Sequence, residues 1–294
     1  EEEKKMLNNI LDELKLNALV ITDPYNMRHV SGFRGGEGAL YISATQKVLI
    51  TDSRYTEQAG KESDFTVIEE NRAHNRQTIL KECMEKETVS GDFHMGYEDQ
   101  SMLCCEFDRM KAALPVQVWT PLGTKIDDLR QIKTEEELTY LARAEEIGDK
   151  AFEKLLKVVK PGMTELEVAA ELEYLMKKEG AEDLSFNTII ASGLNSSMPH
   201  AIPGYKKLEV GDFVTCDFGC KYKGYCSDMT RTFVLGKASE KQKEIYNVVL
   251  KAQLAGLAAV KAGVSGSSVD KVSRDIIAEA GYGEYFGHGL GHSV

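Results

Sequence analysis

Over residues 1–122 the apolar positions fall in short segments that switch between two periods. A helical stripe from residue 6 runs into Ala18-Leu19-Val20-Ile21, a continuous apolar run of strand length. Asp23-Pro24-Tyr25-Asn26 carries turn chemistry. Gly38–Ile42 and Lys47–Thr51 then read as strands joined by a short polar turn. Asp52–Gly60 reads as helix, Thr66–Ile68 as strand, Ile79–Glu87 as helix, Gly91–Gly96 as strand and Leu103–Ala113 as helix. This alternation predicts an α/β domain with a largely parallel sheet over residues 1–122. Pro121-Leu122-Gly123 opens a polar stretch ending at Lys133, so 123–133 is expected to be a linker.

From residue 134 the pattern changes to long helices. Thr134 and Glu137 form a capping box, and Leu138, Leu141, Ala144, Ile147, Ala151, Leu155 and Val158 keep one apolar stripe. Lys160-Pro161-Gly162 ends that helix, and Thr164 with Glu167 caps the next. Lys160-Pro161-Gly162-Met163-Thr164 recurs 101 residues later as Lys261-Ala262-Gly263-Val264-Ser265, between apolar-periodic helices at 239–262 and 267–280. A duplicated half-domain with pseudo-symmetry is the expected architecture of 134–294. By that symmetry about 40 residues of the second half are expected beyond Val294, so this α+β domain reads as C-terminally truncated. A polypeptide ending there is expected to expose apolar faces of the helices at 239–262 and 267–280 and to be poorly soluble.

Composition narrows the partners. The 294 residues are 42% hydrophobic and 28% charged, an ordinary globular balance with room for two domains. A formal charge of −11 repels nucleic-acid phosphate and anionic membrane surfaces. No apolar stretch has the length of a membrane span, and Glu1–Lys5 is followed by no signal-peptide core. Six cysteines are too few for a disulfide scaffold, so a cytoplasmic protein with reduced thiols is expected. His29, His74 and His94 lack ligand spacing and read as surface or structural residues.

Candidate chemistry concentrates in the second domain. Phe213–Gly219 and Ser227–Val234 read as two strands. A bulge-free hairpin centred on Lys221-Tyr222-Lys223-Gly224 sets Asp217 opposite Asp228, with Cβ atoms about 5 Å apart. Facing carboxylates repel, and a divalent cation converts that repulsion into attraction. Three of the six histidines lie in the same domain, His200 after Pro199, and His288 and His292 four apart in a glycine-rich run. Carboxylates with imidazole suit Mn²⁺, Fe²⁺, Co²⁺ or Zn²⁺. Cys216 and Cys220 alternate to the face away from Asp217.

Taken in order, Ile189-Ile190-Ala191-Ser192-Gly193, Pro199-His200-Ala201, Asp217-Phe218-Gly219, Asp228-Met229-Thr230-Arg231-Thr232 and His288-Gly289-Leu290-Gly291-His292 resemble the pita-bread metallopeptidases, the group of aminopeptidase P and prolidase. Ile21–Asn26, Ser31-Gly32-Phe33 and Thr51–Tyr55 are similar to the creatinase-type N-terminal domain of that family, and Arg130–Lys133 to its junction motif.

The resemblance implies hydrolysis of Xaa-Pro bonds, at peptide N-termini or in dipeptides, by a hydroxide activated between two divalent metals. Manganese ranks first, with cobalt, iron or zinc as alternatives. It implies Asp217, Asp228 and His292 as metal ligands, His200 and His288 as catalytic residues, and two glutamate ligands beyond Val294. Phe186 and Ile190 are candidate walls of a proline pocket. Proline-containing peptides are the expected substrates, and a homodimer the expected assembly. A non-peptidase of the same fold, a creatinase-like C–N hydrolase or a metal-free binding module, is the alternative.

Overall fold

Strand β1 (Ala18–Ile21) is buried along its whole length because it has packing on both faces. Ala18 and Val20 join one core cluster and Leu19 and Ile21 another, as period-two alternation requires. The structure is a computed structural model describing residues 2–292, and the chain divides into two units, residues 1–133 and 134–294.

In the first unit β1 sits within a six-stranded sheet with β2 (Ala39–Ser43), β3 (Lys47–Asp52), β4 (Thr66–Glu70), β5 (His94–Tyr97) and β6 (Val118–Pro121), in the order β4-β3-β2-β1-β5-β6. The sheet is mixed. β1–β5, β5–β6 and β3–β4 run parallel, while β1–β2 and β2–β3 are antiparallel; a tight turn joins β2 to β3, and a helix lies between β1 and β2. Strand β6 was not expected from the sequence; its Val118 and Pro121 are exposed, as suits an edge. Helices α1 (Glu2–Leu14), α2 (Pro24–Ser31) and α3 (Thr56–Glu62) supply Leu7, Leu11, Met27, Val30 and Ala59 to one face. Helices α4 (Arg76–Glu85) and α5 (Cys104–Ala113) supply Ile79, Leu80, Cys83 and Met110 to the other.

The segment expected to turn at Asp23–Asn26 instead opens α2. Asp23 caps it by accepting from the Tyr25 and Asn26 amides, and Pro24 occupies the first turn, where its missing N–H costs nothing. The stretch 123–133, expected as a linker, includes a short helix α6 (Lys125–Asp128) whose Ile126 is buried beside Leu122. Asn26 binds it there, donating to Asp127 and accepting from Arg130 Nε, while buried Glu98 accepts from Asn26 and from the Thr22 and Asp23 amides.

The second unit begins with α7 (Glu135–Leu155) and α8 (Glu165–Glu179), each opened by a complete capping box on Thr134 and Thr164. Ala144, Ile147, Ala151 and Leu155 of the expected stripe are buried, whereas its ends, Leu138 and Val158, are exposed. These helices pack under an antiparallel sheet β12-β9-β8, made of β8 (Ile189–Ser192), β9 (Phe213–Phe218) and β12 (Met229–Val234). A smaller sheet pairs β10 (Cys220–Tyr222) with β7 (Asp183–Leu184) and β11 (Tyr225–Cys226). Helices α9 (Glu240–Ala259) and α10 (Gly266–Glu279) repeat the helix–turn–helix of α7 and α8, with Ser265 capping α10 as Thr164 caps α8. Ser273 Oγ donates to the Ala252 carbonyl between α9 and α10, and Leu254 and Leu257 stand exposed on α9. No strand forms over Gly287–His292, and Ser293 and Val294 lie outside the described residues.

Candidate active site

Each strand of the β12-β9-β8 sheet sends alternate side chains to opposite faces. Val214, Cys216 and Phe218 point into the core beneath, which leaves Thr215 and Asp217 on the upper face. Asp217 pairs with Thr230 on one side and Ile189 on the other. The bulge-free register is therefore corrected by two residues. The hairpin turns on Lys223 and Gly224, both with positive φ, so Tyr222 faces Tyr225 and Thr230, not Asp228, faces Asp217. A shift of two preserves parity, and Asp228 still opens on the same cavity as Asp217.

That cavity, of about 630 Å³, is lined by Asp217, Asp228, His200, His288 and His292, and Ile189, Ala191, Met198 and Pro199 are among its apolar residues. Its volume lies in the range of small-ligand sites. His292 Nε2 lies 3.9 Å from Asp228 Oδ2. The three imidazoles form a chain, with ring centroids 6.3 Å apart from His200 to His288 and again from His288 to His292. Helix α10 fixes the glycine-rich run: Arg274 donates to the Phe286 and His288 carbonyls, and Asp270 accepts from the Leu290 amide.

Burial holds the Asp217 carboxyl above the ordinary carboxylate range, and the charge of Asp228 adds to it; a hydrogen bond from Thr230 Oγ1 at 3.0 Å and the nearby His200 and His292 pull the other way. A half-buried acid beside a second acid favours a cation. Two carboxylates and an imidazole fit a divalent first-row metal in donor chemistry. Among the described residues, however, no group of three or more His, Cys, Asp or Glu side chains is drawn together closely enough to hold an ion.

Two expected pocket residues lie elsewhere. Ile190 pairs with Cys216 and is fully buried in the core under the sheet, so its neighbours Ile189 and Ala191 wall the cavity instead. The Phe186 ring packs near Gly219 rather than lining the cavity. Conversely, Glu145 on α7 lines the cavity without having been expected there. It accepts from the Asp228 amide at 3.4 Å, and burial, with Asp149 and Asp228 nearby, raises its carboxyl. One signal was present in the sequence. Glu145 and Asp149 stand four apart on one helix, a like-charge spacing that costs stability unless something else uses it. Asp149 bonds Arg231 of β12 at 3.0 Å.

The profile of the creatinase/prolidase N-terminal domain matches residues 4–132, and that of metallopeptidase family M24 matches residues 139–294. An Xaa-Pro dipeptidase of Pyrococcus furiosus is 37% identical over 294 residues, covering all of this chain and 82% of the relative. Among solved structures, an Xaa-Pro dipeptidase from Bacillus anthracis superposes with a TM-score of 0.92 at 39% identity, covering 99% of this chain and 81% of that one. An X-Pro aminopeptidase from Thermotoga maritima follows at 0.89 and 37%, covering 95% and 79%. No helix among the described residues is long and apolar enough to cross a membrane. The chain belongs to metallopeptidase family M24, with a creatinase/prolidase-type N-terminal domain ahead of its peptidase domain.

Proposed function

We propose that this peptidase hydrolyses Xaa-Pro bonds, in dipeptides or at peptide N-termini, with divalent metal held by Asp217, Asp228 and His292. The observation that carries the reading is the single cavity faced by all three of these residues together with His200 and His288. The relatives named as Xaa-Pro dipeptidase and X-Pro aminopeptidase support the substrate class. A divalent metal in such a site supplies polarisation of the scissile carbonyl and acidification of the attacking water. Manganese is our first choice, because oxygen donors outnumber nitrogen.

The chain's own groups supply the rest. His200 is exposed at the cavity wall, its ring centroid 6.3 Å from that of His288. It donates a hydrogen bond to the carbonyl oxygen as charge develops there. Ile189, Ala191 and Met198 provide apolar surface for a pyrrolidine ring, replacing the Phe186 and Ile190 walls.

Assays on Xaa-Pro, Xaa-Pro-Yaa-Zaa and matched Xaa-Ala peptides, with chelation and metal add-back, test the reading. Cleavage confined to proline peptides and restored by the metal is expected. Equal cleavage of Xaa-Ala peptides overturns the specificity. His200→Ala in the full-length protein should lower kcat about a hundredfold while bound metal stays unchanged. Loss of metal from this variant would instead make His200 a ligand.

A further inference from the structure

The most deeply buried carboxylate of the second unit is Glu165, 1% exposed at the start of α8, and the reading above gives it no task. It receives four groups from one loop. Oε1 accepts from the Ser192 amide at 2.8 Å, Ser192 Oγ at 2.8 Å and Asn195 Nδ2 at 3.0 Å. Oε2 accepts from the Gly204 amide at 3.4 Å and from Asn195 Nδ2 at 3.2 Å. Lys206 Nζ reaches it only through Ser192 Oγ, and is itself paired with Asp212. Backbone bonds add to the grip: the Glu165 amide donates to the Lys206 carbonyl and the Leu166 amide to that of Gly204.

Ser192 and Gly204 are the two ends of the segment that carries His200. Between them Ser196, Met198, Pro199 and His200 line the cavity. A single 3-10 turn at Gly193–Ser197 follows Ser192, and His200 itself is exposed in a turn that belongs to no helix or strand, so the position of its ring depends on where the ends of the segment are held. A carboxylate accepting several N–H and O–H groups in a dry site fixes them far better than solvent can.

We propose that Glu165 is a positioning residue: its buried carboxylate closes the base of the 192–204 loop and so places His200 against the substrate carbonyl. This rests on the assignment of His200 made above. An amide at the same place cannot accept all four donors, because its NH₂ group would face N–H groups. A displacement of about 1 Å in a catalytic group is enough to cost roughly a hundredfold.

The test is a double-mutant cycle in the full-length, metal-loaded protein, with hydrogen exchange as a second readout. Glu165→Gln is expected to lower kcat tenfold to a hundredfold with KM within about twofold, and to speed exchange at the Ser192 and Gly204 amides. In a His200→Ala background the same substitution is expected to cost less than about twofold, because the group it positions is already gone. Asn195→Ala, which removes one donor and leaves the carboxylate, is expected to lower kcat by a smaller factor; it carries the test if Glu165→Gln does not fold. A penalty of undiminished size in the His200→Ala background overturns the proposal, as does an unchanged kcat in a folded Glu165→Gln or Asn195→Ala protein. If His200→Ala alone leaves kcat intact, the assignment of His200 fails, and this proposal falls with it.

Discussion

Asp217→Asn is expected to abolish turnover and at the same time to raise the melting temperature of the metal-free protein. The two effects share one cause. The folded protein holds the Asp217 carboxyl above its ordinary range, first through burial and then through Asp228. In the unfolded chain the group ionises near its usual value of about 3.9. Between that value and the raised one the folded state binds more protons than the unfolded state, so stability falls as pH rises through this window. Above the raised value the whole penalty is present, and below the unfolded value it is absent. The metal-free fold therefore bears it at neutral pH, and a bound dication offsets it.

Asparagine keeps the shape and an amide oxygen that can accept from Thr230 Oγ1, while removing the charge. Calorimetry of chelated samples should show the variant melting above wild type near pH 7, with the gap closing toward about pH 3, below the unfolded value. On the proposed assignment of Asp217 as a metal-holding residue, its loss removes Lewis-acid stabilisation of several kcal/mol, on the order of a thousandfold in kcat. An Asp217→Asn protein that melts below wild type at neutral pH without metal would show that the carboxylate is not strained by its surroundings. Retained metal and retained turnover would remove it from the centre altogether.

How far the sequence exposed these features depends on whether each is local. The central strands of the first unit were readable because a sheet covered on both faces needs uninterrupted apolar runs, and Ala18–Ile21 and Leu40–Ile42 are such runs, whereas the edge strand β6, with Val118 and Pro121 exposed, has no such run. Helix α2 was not readable, since Asp-Pro serves equally as a turn and as an N-cap followed by a first-turn proline. The hairpin register failed on Lys223, a residue with no special preference for the left-handed conformation it adopts. The common face of Asp217 and Asp228 survived because side chains alternate with a period of two. Ile190 went to the wrong side for the same reason: a motif names a run of residues, while one step along the strand reverses the face. Glu145 left a local trace in its like-charge spacing. Glu165 left none, because an acid in the first turn of any helix looks the same, and its partners are 27 to 39 residues away.

Gly219→Ala is expected to be the most damaging single-methyl change in the second unit. Gly219 stands between β9 and β10, opposite the break at Ser227 and Asp228 that separates β11 from β12. Two bonds lock the crossing, from the Ser227 amide to the Cys220 carbonyl at 2.9 Å and from the Cys220 amide to Ser227 Oγ at 3.0 Å. A Cβ on residue 219 would lie 1.9 Å from the Ser227 carbonyl oxygen and 2.8 Å from its carbon, with the Phe186 ring at 3.1 Å on another side. Rotamer changes cannot relieve a clash with backbone, and Ser227 is fully buried, so the strands must separate. Overpacking of this kind costs about 3 kcal/mol, which for a unit of this size lowers the melting temperature by roughly 6–12 °C. Asp228 follows Ser227 directly, so the same displacement should weaken metal binding. Gly263→Ala is the matched control: its φ of +85° is unfavourable for alanine, but nothing lies within 4 Å of the added carbon. It should cost only the 1–2 kcal/mol or so of left-handed backbone and leave metal affinity unchanged. Calorimetry and metal titration of both variants separate steric displacement of the Asp228 segment from simple backbone strain. Equal melting temperatures with equal metal affinities would mean that the crossing yields without moving Asp228.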